Sequence, residues 1–305
     1  MAAKSASLIR ARRLWTDTPF GEAAVSFFAS RIATISFIVL VIICLGALLA
    51  PLIAPQNPYD LTKLSILDGE LPPFSVGGDG FLFIAGTDDQ GRDILSAILY
   101  GLRTSLSVGV ISTSFALVFG LTMGLISGYF GGWVDAVIMR IVDLQLSFPA
   151  ILIAMILLAV LGRGVDKVIL ALIIVQWAYY TRTIRGAALV ERAKEYSEAA
   201  RCLALSNARI LFVHLLPNCL PPLIVIAVLQ IGHAIALEAA LSFLGLGVPV
   251  TEPSLGLLIS NGQEYMLSGQ YWLTVFPGVA LLSTMVAVNL VGDQLRDVLN
   301  PRMKA

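Results

Sequence analysis

The sequence predicts an all-α integral membrane protein with six transmembrane helices, and three observations carry that prediction. Of 305 residues, 57% are hydrophobic and only 13% are charged, against about 25% charged in an ordinary soluble domain. Charge-free runs long enough to cross a bilayer recur along the chain. Basic residues fall mainly on one side of those runs.

A helix needs about 20 mostly apolar residues to cross the hydrocarbon core. Six runs approach or exceed that length, at 32–54, 104–134, 144–162, 168–181, 210–237 and 271–292. The fourth is the shortest, so Lys167 and Arg182 at its ends are expected to snorkel toward the interfaces. The first 31 residues carry Lys4, Arg10, Arg12, Arg13 and Arg31, and the run after them is too long for a signal-peptide core. With the N-terminus inside, 15 of the 20 basic residues lie in inside segments. Both termini, 135–143 and 182–209 are therefore expected to face the cytoplasm.

Residues 55–103 between the first two runs hold Pro55, Pro58, Pro72, Pro73 and a GGDG stretch at 77–80. They read as loops and turns forming a small outer cap, too short to bury a core of their own. The net charge is zero, so no basic field points to nucleic acid. Cys44, Cys202 and Cys219 lack paired spacing, which supports neither a disulfide framework nor a metal site.

Several residue patterns could carry function. Ser112, Ala116, Gly120, Gly124 and Gly128 recur every four residues on the second run, a small-residue stripe on which another backbone can pack closely. The other backbone belongs either to this subunit or to a partner. Pro149, Pro217, Pro221, Pro222 and Pro277 interrupt spans, as they do in moving and in static bundles alike. Gln176, Gln230, His233, Glu238 and Asn289 are polar at depth. They either hydrogen-bond between helices or line a path, and Gln230, His233 and Glu238 are the candidate path residues. Gln230 and His233 share a helix face, from which Glu238 is turned by about 140°. Phosphate-loop, zinc-protease and nucleophile-elbow motifs are missing, and His214 and His233 stand 19 residues apart. Any work done here must draw its energy from another chain. Residues 186–209, GAALVERAKEYSEAARCLALSNAR, are charged and helix-forming. They read equally as an exposed docking helix or as one lying on the membrane surface.

A family resemblance becomes specific within this last segment. Glu198, Ala199 and Ala200, then Ala204, then Leu216, Pro217 and Asn218 resemble the EAA loop of ABC importer permeases. Around it, GTDDQGRD at 86–93, GYFGGWVD at 128–135, LSFLGLG at 241–247 and NLVGDQLRDVLNPR at 289–302 are similar to the DppC/OppC subfamily. Three positions depart from the usual pattern. Ala204 replaces a glycine and loses glycine's positive-φ freedom, Leu255 stands in PSLG where tryptophan is common, and Asn300 precedes Pro301 where aspartate is usual.

The resemblance implies a type I (MetI-like) importer permease core at 101–296 with its coupling loop at 186–209. An N-terminal tail at 1–31, an extra helix at 32–54, an outer segment at 55–100 and a tail at 297–305 complete the chain. It further implies a multi-pass protein of the bacterial inner membrane, surrounded by lipid, that works with a homologous second permease of the DppB/OppB type. Two ATPase subunits and a periplasmic or lipid-anchored substrate-binding protein would complete the importer, and no nucleic acid is involved. ATP and Mg would be bound by the ATPases, so this chain would hold no cofactor, metal or catalytic residue. The implied ATPase-coupling residues are Glu198, Ala199, Ala200, Ala204, Leu216 and Pro217, with Gly120, Gly124 and Gly128 in helix packing. Dipeptides or oligopeptides are the expected cargo; nickel complexes, glutathione and opine-like conjugates are alternatives within the family. A secondary transporter would need more mid-membrane carboxylates, and a membrane enzyme would need a reactive constellation.

Overall fold

A computed structural model describes residues 19–299 apart from 59, 61–63, 79 and 250. The basic cluster from Lys4 to Arg13, and Asn300 with Pro301, lie outside the described residues. Helices α1 (Pro19–Ala29) and α2 (Arg31–Leu48) meet at Ser30, whose hydroxyl accepts the Ala33 N–H and starts α2. The chain then crosses an irregular outer segment holding a short antiparallel pair, β1 (Ser75–Val76) and β2 (Leu82–Phe83). Asp93 caps the next helix, α3 (Ile94–Phe130), by accepting the Ser96 N–H at 2.8 Å. That cap places 94–103 in the helix, ten residues before the expected span and partly inside the expected outer segment.

Positive-φ glycines then punctuate the chain. Gly131 ends α3; α4 (Gly132–Leu146) and α5 (Ala150–Leu161) follow, bent by 88° at a break where Pro149 caps α5. Gly162 ends α5 and α6 (Val165–Arg192) begins. Next come α7 (Glu195–Cys202) and a helical turn, Asn207–Arg209, that runs into a π-helical segment, Ile210–Leu215. Then α8 (Leu216–Phe243), α9 (Leu255–Gln263) and α10 (Trp272–Leu299) complete the described chain.

Each of the six expected runs lies on a helix, with shifted limits. By length and composition, α2, α3, 207–243 and α10 can each cross a membrane, and the bent pair α4 and α5 adds a fifth crossing if it counts as one. The remaining expected span, α6, does not meet that measure among the described residues: it has 28 residues rather than the 14 of its apolar run, and its second half carries Arg182, Arg185, Glu191 and Arg192. A helix enclosed by α3, α5 and α8 meets protein rather than lipid on most sides, so it needs no continuous apolar surface. Residues 186–192 therefore complete α6 instead of starting the inner loop, and 297–299 complete α10. Arg182 does not simply snorkel, since it pairs with Asp143 on α4.

The most extensive helix contact is the seam between α3 and α6. A Cβ on Gly120 would lie 2.5 Å from Tyr180 Cβ; on Gly124, 2.7 Å from the Thr181 carbonyl oxygen; on Gly128, 2.7 Å from Ala188 Cβ. Ser112 and Ala116 extend the same buried stripe. Thr181 exploits the approach, donating its hydroxyl to the Gly120 carbonyl at 3.3 Å. Because the obstacles are backbone atoms and Cβ carbons, the seam cannot yield by rotating a side chain. Gly124→Leu is expected to separate α3 from α6 at a cost of about 1–3 kcal/mol or more and to lower membrane abundance several-fold. Immunoblotting of membranes against the wild type checks this; normal abundance would show that the seam opens freely.

Candidate functional site

Two regions hold the candidate residues, and they lie at opposite ends of α8. At its N-terminal end, α7 packs on the π-helical segment. Its sequence suits its dipole, with Glu195 and Glu198 in the first turn and Arg201 in the last. Ser197 and Ala200 are buried, whereas Glu198 and Ala199 are exposed. Ala200 packs with Ile210, Leu211 and Leu215 in the cluster that also holds Tyr129 and Ala188. Of the EAA residues, Glu198 and Ala199 thus face outward, and Ala200 closes on this chain. Leu216 is half-buried and Pro217 exposed, both at the start of α8.

The turn after α7 corrects one expectation. Ala204 adopts φ +54° even though it lacks glycine's freedom. The Leu205 N–H donates to the Ala200 carbonyl at 3.2 Å and the Ala204 N–H to the Arg201 carbonyl at 2.9 Å, the paired bonds of a left-handed helix stop. Leu205 packs against the Ala200 cluster and completes the motif. These bonds and that contact outweigh the left-handed penalty of about 1–2 kcal/mol for an L-residue.

Side chains then pin the loop to its neighbours. Tyr129 donates its hydroxyl to Asn207 at 2.8 Å, and Arg201 stacks over the Tyr129 ring at 5.6 Å. Glu191 accepts from Lys194 at 2.7 Å and from the Tyr196 hydroxyl at 2.8 Å. Burial, followed by the Glu191 bond and charge, pushes the Tyr196 phenol up to about 12. Arg185 holds Asp135 of the GYFGGWVD motif through two contacts, one of them 2.6 Å.

The candidate path residues separate. Gln230 is buried, and its carbonyl accepts from the Gln176 amide at 3.2 Å, while Thr113 donates to the Gln176 oxygen at 3.3 Å. Those bonds tie α3, α6 and α8 together. Glu238 is fully buried, accepting from Ser105 at 2.6 Å and Ser242 at 2.8 Å, with Ser254 as a third hydroxyl. His233 alone of the three is exposed, joined by Asn289 on α10, whose side-chain oxygen lies 3.0 Å from where a Cβ on Gly232 would sit. An exposed polar side chain at span depth is costly to turn toward lipid, which sets this flank of α8 and α10 apart from the apolar faces around it.

A cavity of about 1010 Å³ opens on the α7 side of that flank. Pro221, Pro222, Val225, Ile226 and Leu229 of α8 line it, with Arg182, Glu191 and Arg296 on α6 and α10. Sequence reasoning missed Ser105, Ser254, Arg182 and Arg296 as site residues, because the groups and the cavity they face are formed across helix pairs that no linear spacing joins. No group of three or more metal-ligating side chains occurs among the described residues.

Ala204→Gly is expected to relieve the left-handed strain by about 0.5–1 kcal/mol, after allowance for glycine's freedom in the unfolded chain. Hydrogen exchange at the Leu205 amide should slow two- to five-fold, whereas Ala204→Val should speed it.

Comparison with known proteins follows the same outline. Residues 120–305 match the family described as the binding-protein-dependent transport system inner membrane component. Residues 18–73 match the N-terminal TM domain of oligopeptide transport permease C. The dipeptide transport system permease protein DppC of Haemophilus influenzae is 38% identical over 287 residues, covering 94% of this chain and 96% of that protein. DppC of Escherichia coli is 40% identical over 287 residues, 94% of each chain. A probable D,D-dipeptide transport system permease protein, DdpC of Escherichia coli, is 38% identical over 90% of this chain and 88% of its own length. Among solved structures, a chain of the MetNI methionine ABC transporter in an inward-facing conformation aligns with a TM-score of 0.54 at 21% identity. That match covers 67% of this chain and 96% of the other, and it concerns the fold alone.

Proposed function

This chain belongs to the binding-protein-dependent transport system inner membrane component family, and from that premise we propose that it is one of two permease subunits of an ATP-driven peptide importer, coupled to its ATPases through α7. The observation that carries the coupling assignment is the presentation of α7. It is a short helix braced underneath by Ala200, Arg201 and the Glu191 cluster, with Glu198 and Ala199 left outward. A rigid back and a free acidic face suit insertion into a groove on another protein. Peptide cargo follows from the relatives named as dipeptide permeases over nearly the whole chain length.

In this reading two ATPases bind ATP and Mg and close on each other, and α7 passes the closure through the π-helical segment into α8. A homologous permease forms the other half of the path, and an external binding protein delivers the peptide. The chain is a non-catalytic, multi-pass permease subunit. Its proposed setting is the bacterial inner membrane, with both termini and α7 cytoplasmic.

Glu198→Lys is expected to insert normally yet weaken ATPase association about tenfold, because it reverses charge on the docking face while leaving the Ala200 side intact. ATP hydrolysis and peptide uptake by the reconstituted complex check this, and wild-type values of both would remove α7 from the coupling role. Ala200→Trp should instead fail within the chain, by driving α7 off Leu211 and Leu215. For sidedness, Glu198→Cys should react with an impermeant thiol reagent only after the membrane is opened. Buried Ser197 is unsuited to that test.

A further inference from the structure

Resting on the importer reading, we propose that the cavity between α6, α8 and α10 is a release-side binding site for the transported peptide, in which Arg182 and Arg296 receive its terminal carboxylate. The cavity's volume, about 1010 Å³, is at the top of the range of roughly 300–1,000 Å³ that suits small ligands. Its charges are unevenly committed. Glu191 is already engaged by Lys194 and Tyr196. Arg296 is exposed, and it makes no hydrogen bond or ion pair to the described residues, even though Asp293 and Asp297 share its helix. Arg182 pairs with Asp143 at a half-exposed site, which occupies one face of a group that carries five donors. Two guanidiniums with donors to spare therefore open on one cavity, and planar guanidinium forks match a carboxylate.

The other end of a peptide finds acceptors on α8. Pro221 and Pro222 have no N–H to offer the carbonyls of Pro217 and Asn218 four residues earlier, and Asn218 itself lines the cavity. Of the two, the Asn218 carbonyl belongs to a cavity-lining residue and suits a terminal ammonium. Between the two ends the wall is Val225, Ile226 and Leu229, apolar and without donors or acceptors on its side chains. Such a site fixes the two ends of a short peptide and reads its side chains little. His233 and Asn289 continue the exposed polar flank beyond Leu229, so the cavity is the inner end of a longer polar track.

The test uses the assembled importer in nanodiscs. Val225→Cys is placed in a chain carrying Cys44→Ser, Cys202→Ser and Cys219→Ala, and the rate of alkylation at position 225 is followed. Dialanine is expected to slow alkylation at concentrations about tenfold lower than dialanine amide, which lacks the carboxylate, with N-acetyl-dialanine, which lacks the ammonium, between the two. Arg296→Gln should remove that preference and Arg296→Lys should keep most of it. Should Arg296→Gln fail to assemble, the acid and amide comparison decides alone. Equal protection by acid and amide, or none by either, overturns the proposal. Slower alkylation in anionic than in neutral nanodiscs, without peptide, would assign the arginines to lipid phosphate and overturn it too. Peptide uptake by the wild-type complex reconstituted in liposomes is measured alongside. Uptake without protection defeats this site alone, whereas no uptake of any peptide defeats the importer reading.

Discussion

The architecture depends on one contact, the backbone approach of α3 to α6 along Gly120, Gly124 and Gly128. Lipid tails are as apolar as leucine, so helices in a membrane gain little by hiding leucine from them and must associate through close packing and hydrogen bonds. Glycine at four-residue spacing supplies the first, and the Thr181 and Gln176 side chains supply the second. With α6 held in this way, its polar second half can run on to Arg192, and the loop that follows starts from a fixed place. The position of α7 is thus set by a seam that lies well inside the span.

The two ends of α8 are built in opposite ways. At the Phe243 end the backbone is tightly drawn in: a Cβ on Gly256 would lie 2.1 Å from the Ala239 carbonyl oxygen, and one on Gly247 would lie 2.1 Å from the Ser242 hydroxyl. Three serine hydroxyls surround Glu238 there, joining α3, α8 and the start of α9 around one carboxylate. At the Leu216 end, prolines replace donors and a π-helical turn replaces regular winding, with a packed cluster through Leu215, Cys219 and Leu223 on one side and a cavity on the other. The Phe243 end is thus closed by backbone and hydroxyls, whereas the Leu216 end has one packed side and one open side.

Much of this was legible from residue order. Apolar runs located α2, α3, α5, α6, α8 and α10 because hydrophobic length is a local property, but not α4, which occupies the expected inner segment 135–143, and the glycine stripe could be read because its period matches a helix face. The limits of α6 were not legible, since its enclosure by three other helices decides how much polarity it tolerates. Nor could sequence assign the polar residues: Gln230 and His233 share a nominal face, yet the first is buried with its backbone carbonyl bonded by Gln176, while the second is exposed among the described residues. Ala204 shows the same limit. Local preference argues against φ +54°, and the hydrogen bonds of a helix stop prevail over it. A cavity formed from three helices leaves no mark in any one of them.

The π-helical segment Ile210–Leu215 has a geometric consequence. A π turn accommodates one residue more than an α turn, so everything downstream is wound about 100° out of phase with, and about 1.5 Å displaced from, where an unbroken α-helix would put it. The segment thereby sets the phase between α7 and α8. Passing that surplus residue along the chain would rotate α8 by a fixed step while both of its neighbours kept their length and their anchors.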